Sequence, residues 1–269
     1  MPLSSSSKNE LKAVLILVAG FGLVTLLGDL PKKIAELVLL LAALEFTSYL
    51  AAKYFGSGRA FWIVGFLGGL VSSTAVTLAC AEASNKSAKS WKFRSGTALA
   101  AQLAATLEMF GIVLFAARPL ATRIALPTAL LAATLTAGIV WCSRSQKDSD
   151  FKIEVRSPID AKNVLRLSLF LGTIFAGMAA LQKVLGSQAT GLFAFVTGLF
   201  EMHGVTLATT TLYTQSSIDA DTAVINISLA TVASVVAKIS LAWTHGSRRF
   251  AAFMTAVLTL GSAFFALVF

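Results

Sequence analysis

Apolar positions along this chain follow neither the period of two of a half-buried strand nor the single stripe of a surface helix. They run together in blocks about 20 residues long, the length that crosses a bilayer as a helix. The blocks fall at 11–28, 34–55, 60–82, 96–117, 119–142, 163–185, 189–213, 222–244 and 249–269. They predict an all-α fold, a polytopic transmembrane helix bundle of about nine spans. The fifth block is the weakest, because Arg123 and Pro127 lie near its start.

The one sizeable hydrophilic stretch, 143–162, mixes both signs of charge and reads as a solvated linker. It divides a five-helix membrane half, 1–142, from a four-helix membrane half, 163–269. The polar, Ser-rich residues 1–10 precede an apolar run that ends in Gly28-Asp29-Leu30-Pro31. No small-x-small cleavage pattern is present there, so the run is expected to stay as a first helix.

Composition strengthens this picture. Of 269 residues, 56% are apolar and 13% charged, against about 25% charged in a soluble domain. Mean hydropathy is +0.79. The net charge of +9 comes from Lys and Arg scattered between apolar blocks. That placement suits headgroup contact, and no nucleic-acid partner is expected. The distribution of these cations leans slightly toward an outside N-terminus. Cys80 and Cys142 lie in or at the end of apolar blocks without a C-x-x-C and read as buried thiols.

An internal duplication is the most informative pattern. K-x-x-G-S at Lys53 and Lys183 is followed in each case by G-L-x5-V-T-L-A, beginning at Gly69 and Gly198. The alignment pairs Ser72 with Glu201 and Thr74 with His203. It matches the second to fifth blocks with the sixth to ninth and leaves the first as an addition. Four blocks separate the copies, so a parallel repeat is expected. Many secondary transporters hold their site at the midplane between such repeats.

Candidate chemistry clusters at the repeated motif. Gly68 and Gly69 precede Ser72, Ser73 and Thr74. Gly198 and Gly204 bracket Glu201 and His203. Glycine weakens a helix, and Ser or Thr caps a restarted one. Either the helices break here beside a cavity, or the small residues serve close packing. Residues two apart on a regular helix point about 200° apart. Glu201 and His203 therefore share a cavity only where the helix unwinds.

An acid inside a membrane helix is costly, and a functional role is its default reading. Glu45 and Glu108 are the other acids deep in apolar blocks. Glu108 shares a small-residue face with Ala101, Ala104 and Ala105. Lys238 continues a polar stripe with Thr231 and Ser234; it either pairs with an acid such as Glu201 or snorkels to the interface.

These motifs carry a family resemblance. Residues 49–59 read YLAAKYFGSGR and residues 65–79 read GFLGGLVSSTAVTLA. The chain resembles the domain of unknown function 4010 family, which often forms the C-terminal domain of MgtC/SapB-like bacterial membrane proteins. The resemblance implies a bacterial membrane location. The family pattern has two acids in the second copy, where this chain has Glu201 and His203. Farther on, the chain keeps the family's Lys as Lys238 and lacks its Asn.

Soluble-enzyme signatures such as G-x-x-x-x-G-K-[ST], H-E-x-x-H and G-x-S-x-G are absent from the sequence. No catalysis and no cofactor are expected, and the metal question stays open. The leading expectation is a multi-pass transporter or channel of the bacterial inner membrane for an ion, cation or proton favoured, or a small solute. Ser72, Ser73, Thr74, Glu201 and His203 would line its site, with Lys238, Glu45 and Glu108 as charge partners. The alternative is a regulatory or scaffold membrane protein acting through helix–helix contacts. The bilayer is the expected partner, and homo-oligomerisation stays open.

Overall fold

A computed structural model describes residues 61–87, 90–143 and 161–268. The first two expected spans, Glu45 and nearly all of the linker lie outside the described residues. Among those described there are eight α-helices, one terminal 3-10 turn and no strand. The helices are α1 (Phe61–Lys86), α2 (Trp91–Ala116), α3 (Arg118–Ser143), α4 (Ala161–Leu185), α5 (Ser187–Gly198), α6 (Met202–Thr214), α7 (Ala220–His245) and α8 (Arg248–Ala263). Five segments are long and apolar enough to cross a membrane: Trp62–Lys86, Trp91–Ala116, Arg118–Ser143, Ala220–His245 and Arg248–Ala266. This is the build of a multi-pass membrane protein.

Length does not make α1 a crossing. Ser72 is non-helical, at φ −166° and ψ 98°. Residues 68 and 76 of an unbroken helix stand about 12 Å apart along its axis. Here a Cβ on Gly68 would lie 3.0 Å from Val76 Cγ2, so the helix folds back on itself at Ser72.

Packing on α2 shows the same reversal. Gly65 sits against the Thr97 backbone and Gly69 against that of Ala101, so residues 61–71 run parallel to α2. Residues 73–86 then return to the short connection from which α2 starts. Each arm is about 16–21 Å long, short of the ~30 Å hydrocarbon core.

The second copy repeats this device. Gly191 packs on Leu229 and Gly198 on Ala230, so α5 runs parallel to α7. The chain turns at Glu201, and α6 returns to the segment that starts α7. The expected third and seventh spans, 60–82 and 189–213, are thus corrected to re-entrant helical hairpins.

The expected parallel repeat is also corrected. Helices α3 and α8 are counterparts in the two copies, yet they pack antiparallel. Gly138 meets Val257, Gly261 meets Leu131, and Trp141 stacks on Phe253 at 4.8 Å. As numbering rises along α3 it falls along α8, so the copies are inverted.

Contacts at the two ends agree. Asn85 Nδ2, at the base of the first hairpin, donates to the carbonyl of His245 at the end of α7, at 2.9 Å. Ser247 N donates to Ser84 Oγ at 2.9 Å. At the opposite end, Arg123 of α3 pairs with Asp221 in the first turn of α7. The first hairpin therefore enters from one end of the bundle and the second from the other. The physical reason for the correction is parity: one apolar block in each copy turns back and does not cross.

Small residues permit this architecture. Gly69 and Gly198 are counterparts, and each touches backbone of its partner helix, at Ala101 and Ala230 respectively. Ala98, Ala101, Ala104 and Ala105 are fully buried. The small-residue face of α2 is used within the chain.

Candidate functional site

The two hairpin tips meet at a cavity of about 420 Å³ near the middle of α2 and α7. Ser72, Ser73 and Thr74 line it from the first tip, and Gly198, Glu201, Met202 and His203 from the second. Glu108 of α2 and Ser234, Lys238 and Leu241 of α7 complete much of its wall. Of the eight ligand-binding candidates, seven come together here; Glu45 lies outside the described residues. Of the four candidate helix-break glycines, Gly69 and Gly198 line the cavity, Gly68 packs inside the first hairpin and Gly204 is buried in α6. The breaks themselves fall on Ser72 and Glu201.

Each break creates a helix N-terminus at the tip, and the break residue caps it. Ser72 Oγ accepts from the amide of Ala75 at 3.2 Å. Glu201, extended at φ −149° and ψ 95°, accepts through Oε1 from the amides of His203 at 3.0 Å and Gly204 at 3.4 Å. The first orphan amides of a helix need such acceptors. Both alternatives read from the glycines therefore hold: the helices break, and the glycines pack closely.

Because the chain is extended at Glu201, His203 also reaches the cavity. Its imidazole lies between two carboxylates, with Nδ1 3.4 Å from Glu201 Oε1 and Nε2 3.6 Å from Glu108 Oε2. Nε2 also lies 3.2 Å from the carbonyl of Ala105. A carbonyl accepts, so Nε2 carries a hydrogen. Nδ1 and Oε1 face each other as lone pairs unless one of them holds a proton as well. The arrangement thus places one imidazole between two carboxylates, with a proton needed on Nδ1 or Oε1 for that pair to bond.

The other side of the cavity differs. Lys238 is 1% exposed, and its ammonium donates to Ser234 Oγ at 2.6 Å and to the Ser234 carbonyl at 3.4 Å. Among the described residues no carboxylate lies within ion-pair distance of Nζ. Of the expected alternatives, snorkelling does not occur and direct pairing with Glu201 does not form. The two groups line the same cavity without touching. Among the described residues no group of three His, Cys, Asp or Glu has the arrangement to hold a metal ion.

The Ala105 carbonyl is the contact that sequence reasoning missed. A backbone acceptor leaves no residue-type signal, but the repeat register, which pairs Ala105 with the polar Ser234, points to that position.

A family model described as Domain of unknown function (DUF4010) matches residues 39–246. The match covers well over half of the chain, and the chain belongs to that family. No curated protein and no solved structure matches it.

Proposed function

We propose that this DUF4010 protein is a secondary transporter of the bacterial inner membrane, carrying an ion or small solute through alternating access at the hairpin-tip cavity. One observation carries the reading: inverted repeats each send a broken hairpin to one cavity, which Ser72, Thr74, Glu108, Glu201, His203 and Lys238 line. Inverted repeats give a site two related ways to open, one for each side of the membrane. Irregular backbone at such depth is tolerated where it is buried in protein or lines a water-filled space.

The Glu108–His203–Glu201 trio supports coupling to a proton, with a small cation as the other occupant of the same acids. A regulatory or scaffold role without transport is the second reading. Small faces such as Ala101/Ala104 would serve that role, and at Ala101 this face already packs on Gly69 within the chain.

Proteoliposomes loaded with a pH-sensitive dye test the proposal. Solute or cation gradients should drive proton movement that the Glu201→Gln variant lacks. Correctly inserted protein that moves nothing under any gradient supports the scaffold reading instead.

A further inference from the structure

Equivalent elements of the two repeats line the cavity with different chemistry. The repeat register pairs Ser72 with Glu201 and Ala105 with Ser234. In the second hairpin the break residue brings its own carboxylate to the N-terminus of α6, and α2 faces it with Ala105 and Glu108. In the first hairpin the break residue brings only a hydroxyl to the N-terminus of residues 73–86. Ser234 and Lys238 of α7 line the same cavity as this tip.

In the acidic half, His203 lies between the Glu108 and Glu201 carboxylates. In the other half, the buried Lys238 ammonium donates to Ser234. Among the described residues no carboxylate pairs with it directly, and Glu201 acts on it only from across the cavity. A buried ammonium without a direct counter-charge is unfavourable. A helix N-terminus beside it adds a second attraction for an anion. The second copy already shows a carboxylate seated at the equivalent place.

We propose that this half of the cavity binds the carboxylate of a small organic acid, between the Ser72 and Thr74 hydroxyls and the Lys238 ammonium. Leu70, Leu78 and Leu241 supply apolar wall for the acid's carbon skeleton, which an inorganic anion does not have. The ligand carboxylate takes the place in the first repeat that Glu201 fills in the second. This names the cargo of the proposed transporter and rests on that reading. Binding is measured without transport, so failure of one is distinguishable from failure of the other.

The test uses the full purified chain in detergent, with sodium acetate, sodium succinate and sodium benzoate as probes against sodium chloride at matched sodium. At least one carboxylate should raise the melting temperature above the chloride control. Lys238→Met should weaken that probe's binding by about 30-fold or more, the scale of removing one member of a buried charge pair. Ser72→Glu should abolish the response while leaving the protein's own melting temperature equal or higher, because the new carboxylate caps the helix and meets Lys238. The proposal is overturned if no carboxylate outperforms chloride, or if the folded variants respond like the parent. A response to sodium over choline with nothing added by carboxylate also overturns it, and assigns the ligand to the acidic half. Where Lys238→Met does not fold, the Ser72→Glu response decides.

Discussion

Ser72 and Glu201 stand at equivalent positions of two inverted repeats and share one backbone conformation, φ −166° and ψ 98° at the first, φ −149° and ψ 95° at the second. Each ends one arm of a hairpin and caps the next. They differ in what they bring to the one cavity, a hydroxyl from the first tip and a carboxylate from the second. Fold and site chemistry thus turn on the same pair.

Glu201→Gln separates the charge from the cap. Glutamine keeps an oxygen for the His203 and Gly204 amides, so the variant should insert and purify as the parent does. It removes the titratable carboxylate beside His203. Proton-coupled flux in proteoliposomes should therefore fall to background, or lose its pH dependence. Full flux in a normally folded variant would remove Glu201 from the mechanism.

Close backbone approach makes a second, purely structural prediction. A Cβ at Gly69 would lie 2.4 Å from Ala101 Cα, and one at Gly198 would lie 2.7 Å from Ala230 Cα. Gly69→Ala and Gly198→Ala should each destabilise by about 1–3 kcal/mol, the usual range for overpacking. Gly111, also helical, has open space at its Cβ. Gly111→Ala should be neutral or stabilising, by up to about 1 kcal/mol from helix propensity. Melting temperatures in one detergent compare the three directly.

Outside the membrane-spanning segments, Asp219 caps α7. Its Oδ1 accepts from the Thr222 amide at 2.7 Å. The backbone and side chain of Thr222 hold its carboxyl below the usual aspartate range. With the folded pKa depressed, its contribution is present above the ordinary aspartate pKa and is lost as pH falls through the folded value. Asp219→Asn keeps an acceptor and does not titrate. Its stability should fall less than the parent's on acidification below about pH 4, as read by thermal melts across that range.

Much of the architecture was legible because hydropathy records length and burial. The runs 119–142 and 222–244 lie inside α3 and α7, and 96–117 ends one residue past α2. Helix α2 begins earlier than its apolar run, as polar groups find local partners. Lys92 lies over the Trp141 ring at 4.5 Å, and Arg94 Nε donates to Ser90 Oγ at 2.6 Å. The hairpins were not legible as hairpins. Two apolar half-helices in sequence have the same composition as one span, and a reversal at a single residue leaves hydropathy unchanged. Repeat orientation failed with them, because a parallel repeat followed from counting each hairpin as a crossing. The site survived this error. Ser72, Glu201 and Lys238 were marked by residue type and repeat register, neither of which depends on the direction of the chain. Glu108 was marked as an acid deep in an apolar block. That both tips meet at one cavity with Glu108 and Lys238 needed the fold, since it depends on the hairpins entering from opposite ends.

Labelling of single-cysteine variants with a membrane-impermeant maleimide tests the inverted hairpin architecture most directly. Lys86 lies at the base of the first hairpin and Gln215 at the base of the second, and both are exposed. Cys80 and Cys142 are buried and are replaced by alanine in the background. In oriented membranes, Lys86→Cys and Gln215→Cys should label from opposite sides. Labelling of both from the same side would restore two full crossings and a parallel repeat, and would contradict a cavity enclosed by two opposed hairpin tips.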